Sequence, residues 1–107
     1  MDAALRRRLL GLAGLGVRAR NAVVGVEQVR AAAQGGSLQV ALVAGDASRH
    51  SRDKVVPLLV AKRIMMVDGF TASELGGVAG REATAVIGIV DAALAKGIRG
   101  ALRPAVE

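Results

Sequence analysis

The sequence predicts an α/β protein, a three-layer α/β/α sandwich, from three observations. Short uncharged runs rich in Val, Ile and Leu alternate with amphipathic stretches along the chain, in the order α-β-α-β-α-β-α-β-α. Each run is apolar at successive positions, as in a strand buried on both faces, so helices must cover both sides of a mostly parallel sheet. Hydrophobic residues make up 52% of the 107 residues, enough to build one core and too little chain for two, so residues 1–107 are expected to be a single domain.

The first helix is read over residues 3 to 15, where Leu5, Leu9 and Leu12 fall at i, i+4 and i+7 while Arg6, Arg7 and Arg8 sit mostly off that stripe. Gly14 and Gly16 are its expected stop. Asn21 to Val24 is a short strand or extended connector closed by Gly25, and a second helix follows from about Val26 to Gln34, with the Gly35-Gly36 pair ending it. Ser37 to Ala44 reads as a buried strand. Gly45-Asp46-Ala47-Ser48 is a turn, and Asp46, Ser48 and Ser51 can all cap a helix.

Pro57 lies inside the third helix, where it removes a donor to the Asp53 carbonyl, so an early turn over 49–54 and a kink or helix start near Val56 are expected, with the end at Lys62-Arg63. Ile64 to Val67 is the next strand. Thr71-Ala72-Ser73-Glu74 fits the S/T-x-x-E capping box and opens a short helix through about Val78, stopped by Gly80. Ala83 to Val90 is a further buried strand, and Asp91 caps a last helix running to about Leu102 and ended by Arg103-Pro104.

Composition narrows function. Fifteen Lys and Arg against nine Asp and Glu give a net charge of +6, which points to an anionic partner. A GC-rich coding sequence would also favour Arg over Lys, so the sign of the charge carries that inference. A lone aromatic, Phe70, excludes rows of base-stacking side chains. With no cysteine and one histidine, His50, neither disulfides nor a metal cluster is expected, and a reducing, cytoplasmic setting is. The longest uncharged stretch, Ala31 to Gly45, is broken by Gln34, two glycines, Ser37 and Gln39, so no membrane span is expected. Arg6 to Arg8 imitate the start of a signal peptide, but Arg18 and Arg20 interrupt soon after, and a basic first helix is the better reading.

Enzymatic signatures are weak. Asp46, Ser48, His50, Ser51 and Asp53 crowd one turn, yet no G-x-S-x-G pattern surrounds either serine, and capping needs the same residues. The glycines between Gly11 and Gly16 close a helix, whereas a dinucleotide fold needs them between a strand and a helix start, and Gly76-Gly77-Val78-Ala79-Gly80 lacks the Lys-Ser/Thr of a phosphate loop. No catalytic residue, cofactor or small-molecule substrate is therefore expected. The start of the second helix says more. Gly25 permits close approach of another backbone, and Glu27 and Gln28 are exposed on the first turn, where a carboxylate or amide can accept hydrogen bonds from guanine edges. Taken alone, Glu27 is better explained as a carboxylate stabilising a helix N-terminus by about 0.3–1 kcal/mol.

Four segments together resemble the kink-turn RNA-binding ribosomal protein family of the L-seven-Ae and L-thirty-e type, particularly its small bacterial members. They are Leu9-Leu10-Gly11-Leu12-Ala13, Gly25-x-Glu27-Gln28-Val29, Leu42-Val43-Ala44-Gly45-Asp46-Ala47-Ser48, and Glu74-Leu75-Gly76-x-x-x-Gly80-Arg81, in the family's order and spacing. The resemblance implies a central four-stranded sheet that is mixed rather than all parallel. It also implies binding of structured RNA, including ribosomal RNA, at a kink with tandem sheared G·A pairs. By that likeness Gly25, Glu27 and Gln28 approach the guanines, while Arg81, Glu82 and Ala83 form the loop that packs on a flipped or stacked nucleotide. Arg18, Arg20 and Arg30 are the further candidate RNA contacts. The sequence departs from the family where its usual Lys, four residues after the Glu27 position, is Ala31; Arg30 points about 100° away from that face. The expected function is thus a non-catalytic RNA-binding protein linked to translation. The alternative is a protein-interaction or ribosome-associated module on the same fold with little RNA affinity. Arginines gathered around Gly25 would favour RNA; dispersed charge would favour the module.

Overall fold

The structure is a computed structural model and describes residues 1–103. Along the chain come α1 (Ala3–Arg18), β1 (Ala22–Val24), α2 (Val26–Gly35), β2 (Val40–Ala44), α3 (Arg49–Ala61), β3 (Met65–Phe70), α4 (Ala72–Val78), β4 (Val86–Ile89) and α5 (Ala92–Leu102). Four helices start on a side chain that accepts a free backbone N–H: Asp2 from Leu5 (2.7 Å), Ser48 from Ser51 (3.1 Å), Thr71 from Glu74 (3.0 Å) and Asp91 from Leu94 (2.8 Å). Each such cap contributes about 0.5–2 kcal/mol. At Thr71 the capping box is complete, because Glu74 Oε1 accepts in turn from the Thr71 N–H at 2.9 Å. α2 starts on Gly25 with no side-chain cap.

One sheet in the order β1-β4-β2-β3 carries two cores, one on each face. Val40, Leu42 and Ala44 of β2 turn to the face covered by α1, α4 and α5, with Leu9, Leu75 and Ile98 as the buried helical partners. Ala41 and Val43 turn to the other face, against Val29 of α2 and Leu59 of α3. This is the three-layer α/β/α sandwich.

The sheet is mixed. Strands β1, β2 and β3 run one way, as the alternation of helices and strands predicts, but β4 lies between β1 and β2, antiparallel to both, and only β2 and β3 form a parallel pair. The expectation of a mostly parallel sheet fails at β4 because α4 is too short to carry the chain back. Its seven residues advance by about 10 Å. The following segment retraces it, with the Arg81 N–H donating to Gly76 O at 2.8 Å and the Thr84 N–H to Ala72 O at 3.0 Å. A Cβ on Gly76 would stand 2.5 Å from the Ala83 Cα, so that close return requires glycine. β4 consequently begins where β3 ends and must run opposite to it.

Several boundaries also differ from expectation. α1 continues to Arg18 because Gly14 and Gly16 are packing positions: a Cβ on Gly16 would meet Leu94 Cδ2 at 2.5 Å. α3 is continuous through Pro57, which sits on the exposed side, so that water can solvate the Asp53 carbonyl it leaves without a partner. Ser37 and Leu38 close α2 through bonds to Ala32 O at 3.0 and 3.2 Å, which delays β2 to Val40. β3 reaches Phe70 through the exposed Asp68 and Gly69, and residues 83–85 belong to the return loop. Pro104, the expected stop of α5, lies outside the described residues. Among the described residues no helix is long and apolar enough to cross a membrane.

Candidate nucleic-acid interface

The strand directions give the sheet two distinct ends. At one, β1, β2 and β3 finish and β4 begins; this Gly25 end carries the first turns of α2, α3 and α4. At the other, Asn21, Gln39 and Ile64 lead into strands and Val90 leaves one; this is the Asn21 end.

Gly25 holds φ 95° and ψ 163°, a conformation open essentially to glycine alone. Its N–H donates to Val86 O at 3.0 Å and its carbonyl accepts the first helical bond, from the Val29 N–H at 3.0 Å. The N–H groups of Val26, Glu27 and Gln28 therefore have no intrahelical acceptor and lie at the positive end of the helix. The loop after α4 reaches this point: an Arg81 guanidinium nitrogen lies 3.7 Å from where a Gly25 Cβ would be. Gln28 folds back so that its Oε1 accepts from the Val24 N–H at 3.2 Å, while its amide NH2 is left to donate. Glu27 stays 80% exposed with one oxygen 3.6 Å from Lys54 Nζ of α3.

The structure thus brings Gly25, Glu27, Gln28 and Arg81 together, with the exposed Glu82 next in the same loop. The remaining candidates lie elsewhere. Arg30 donates to the Lys54 carbonyl and braces α2 on α3. Ala31 is exposed one turn beyond Glu27. Arg18 lies along α1 beside Gly14, against Val78 of α4. Arg20, at a left-handed φ of 62°, occupies the Asn21 end, beside the Asn21 carbonyl that accepts from the Val90 N–H at 2.9 Å.

Sequence reading missed Lys54 as the partner of both Glu27 and Arg30, a contact made only when α2 and α3 pack side by side. Asp46, expected as a capping residue, serves a helix other than the one that follows it: its Oδ1 accepts from the Ala72 N–H at 2.7 Å and ties the β2–α3 loop to α4. Ser48 and Ser51 bond to each other at 3.0 Å in a capping arrangement. Among the described residues no three His, Asp or Glu side chains gather to hold a metal ion.

No protein-family model and no curated protein matches this sequence. Among solved structures, a protein of unknown function from Bacillus halodurans is similar with a TM-score of 0.79 and 29% identity, covering 88% of this chain and 95% of that one. The Giardia lamblia 15.5kD RNA binding protein is similar with a TM-score of 0.78 and 19% identity, covering 95% of this chain and 88% of that one. At 19% identity the likeness is one of fold.

Proposed function

We propose that this protein binds structured RNA without catalysis, presenting the start of α2 and the loop after α4 to a sharply bent duplex of the kink-turn kind. The observation that carries the reading is the Gly25 cap. A backbone only glycine adopts leaves the first turn of α2 without a covering side chain, with three N–H groups free of intrahelical acceptors and Arg81 alongside. Around it stand one acceptor, Glu27, and one donor, the Gln28 NH2. A guanine edge offers the matching groups, N2–H2 as donor and O6 and N7 as acceptors. Arg81 supplies the fork suited to a phosphate or base edge. The fold is shared with a protein whose name states that it binds RNA, which supports the partner class. The family resemblance of the four sequence segments supports the kinked target, a cytoplasmic setting and a link to ribosomal RNA.

One observation favours the second reading, a protein-interaction module with little RNA affinity. Arginines do not gather at Gly25: Arg30 and Lys54 are spent between α2 and α3, and Arg81 is the cation left beside the cap. Titration against a kink-turn RNA and against the same RNA with its G·A pairs disrupted decides between them. Preference for the intact kink is the expected result. Equal affinity for both would remove base recognition at α2, and binding to neither would leave the interaction module.

A further inference from the structure

The Asn21 end carries most of the chain's net positive charge. Gln39 is joined to the last residue of β4 by its N–H to Ile89 O at 2.7 Å, and Arg99 of α5 reaches over to donate to the Gln39 carbonyl at 3.1 Å. Lys96 stands three residues before Arg99, on the same side of α5. Val40 pairs with Met65, so Lys62 and Arg63, which lead into β3, belong to the same end. Arg20 completes it next to Asn21.

All five of these cations are exposed, and among the described residues none is in an ion pair. The carboxylate at this end, Asp91, is occupied in capping α5 at Leu94. Among the described residues five cations are set against that one carboxylate, an excess of four positive charges in a chain whose net charge is +6. Among the described residues the three ion pairs, Arg6–Glu74, Arg49–Asp53 and Lys54–Glu27, lie away from this end.

We propose that the Asn21 end is a second RNA-binding surface, one that takes the phosphate backbone of a double helix without regard to sequence. Four strands spaced by about 4.8 Å set β1 and β3 about 14 Å apart. A width of that order takes in a few successive phosphates of one backbone. Three of the five cations are Arg, whose planar fork matches phosphate oxygens. The only aromatic, Phe70, is buried at the opposite end of β3, so this surface has nothing on which an unpaired base could stack. Phosphate contact without base readout is what remains. The surface lies a strand's length from Gly25 and does not depend on the α2 reading.

The test compares the wild-type chain with a triple variant, Lys62→Gln, Arg63→Gln and Lys96→Gln, on a straight RNA duplex and on the kinked RNA, over a range of salt. A second triple variant, Arg7→Gln, Arg8→Gln and Arg49→Gln, removes the same charge from exposed positions elsewhere. The first variant is expected to lose at least about tenfold in affinity for the straight duplex and to reduce the slope of log K against log salt by about two to three, near 0.9 per lost contact. The second is expected to lose less than about threefold. Equal losses for the two variants would make the effect one of net charge and overturn the proposal. So would an unchanged salt slope, or wild-type protein that binds phosphatidylserine vesicles but not the duplex. The ratio of kinked to straight affinity reports on Gly25 alone, so a protein lacking that preference but showing the first variant's loss keeps this surface and loses the α2 reading.

Discussion

At the Gly25 end the charged side chains are mostly committed to protein partners. Glu27 faces Lys54, Arg30 holds the Lys54 carbonyl, Arg52 donates to Ala44 O at 2.9 Å, and Asp46 caps α4. At the Asn21 end, Arg99 touches a backbone carbonyl, and the remaining cations have no carboxylate partner among the described residues. The contrast separates two kinds of recognition. A nearly neutral end with fixed donors and an open backbone suits reading of particular base edges, whereas a strongly positive end with exposed side chains suits attraction to any phosphate chain. Net charge of the sequence therefore says little about Gly25.

The largest expected effects come from substitutions that test how rigidly the Gly25 end is specified. Gly25→Ala should destabilise the fold by about 1–3 kcal/mol through its positive φ, since a Cβ there meets Arg81 at an ordinary 3.7 Å. For a chain of this size the melting temperature falls by about 4–8 °C per kcal/mol. At the other end of α2, Gly35 is helical with open space around it, so Gly35→Ala should raise stability by about 0.5–1 kcal/mol. Melting curves that shift alike for both would erase the distinction between the ends.

A smaller effect, about tenfold, is expected for Ala31→Lys in binding the kinked RNA. One charge-assisted hydrogen bond contributes about 1.5–3 kcal/mol before the cost of ordering the new side chain. Ala93→Lys, also exposed but on α5 at the Asn21 end, adds the same charge and should strengthen only salt-sensitive binding of straight duplex. Equal gains on the kinked RNA would mean that residue 31 does not face it.

Smaller still is the effect of Gln28 on stability. Gln28→Ala removes the acceptor for the Val24 N–H and should cost about 0.5–1.5 kcal/mol, while Gln28→Glu keeps an acceptor there and should cost less. Both remove the NH2 donor, so both should weaken the kinked RNA. If Gln28→Glu binds as wild type does, the amide donor is no part of the recognition.

The capping box at Thr71, the Asp91 cap and the glycine before α2 were legible in the sequence because each is a local arrangement of residues three or four apart. Periodicity located all nine elements for the same reason. It misplaced their ends where distant residues decide: Gly16 looks like a helix stop until Leu94 packs on it, and Ser37-Leu38 looks like strand until Ala32 claims both N–H groups. Of the site, the residue types at 25, 27, 28 and 81 could be singled out, but the role of Gln28 and the diversion of Arg30 could not. Both depend on partners, Val24 and Lys54, whose positions follow from the packing of β1 and α3.

The sequence by itself determined the helix and strand order, the two-faced burial of the strands, and the presence of a glycine cap where a helix begins. These follow from local hydrogen bonding and from the spacing of apolar residues, which the chain carries before it folds. Only the tertiary structure decided that β4 runs against its neighbours, that Arg81 meets Gly25, and that the excess charge collects at the opposite end. The reason is that the short α4 and its return loop fix where β4 starts, and strand direction then assigns each loop, with its charges, to one end of the sheet or the other.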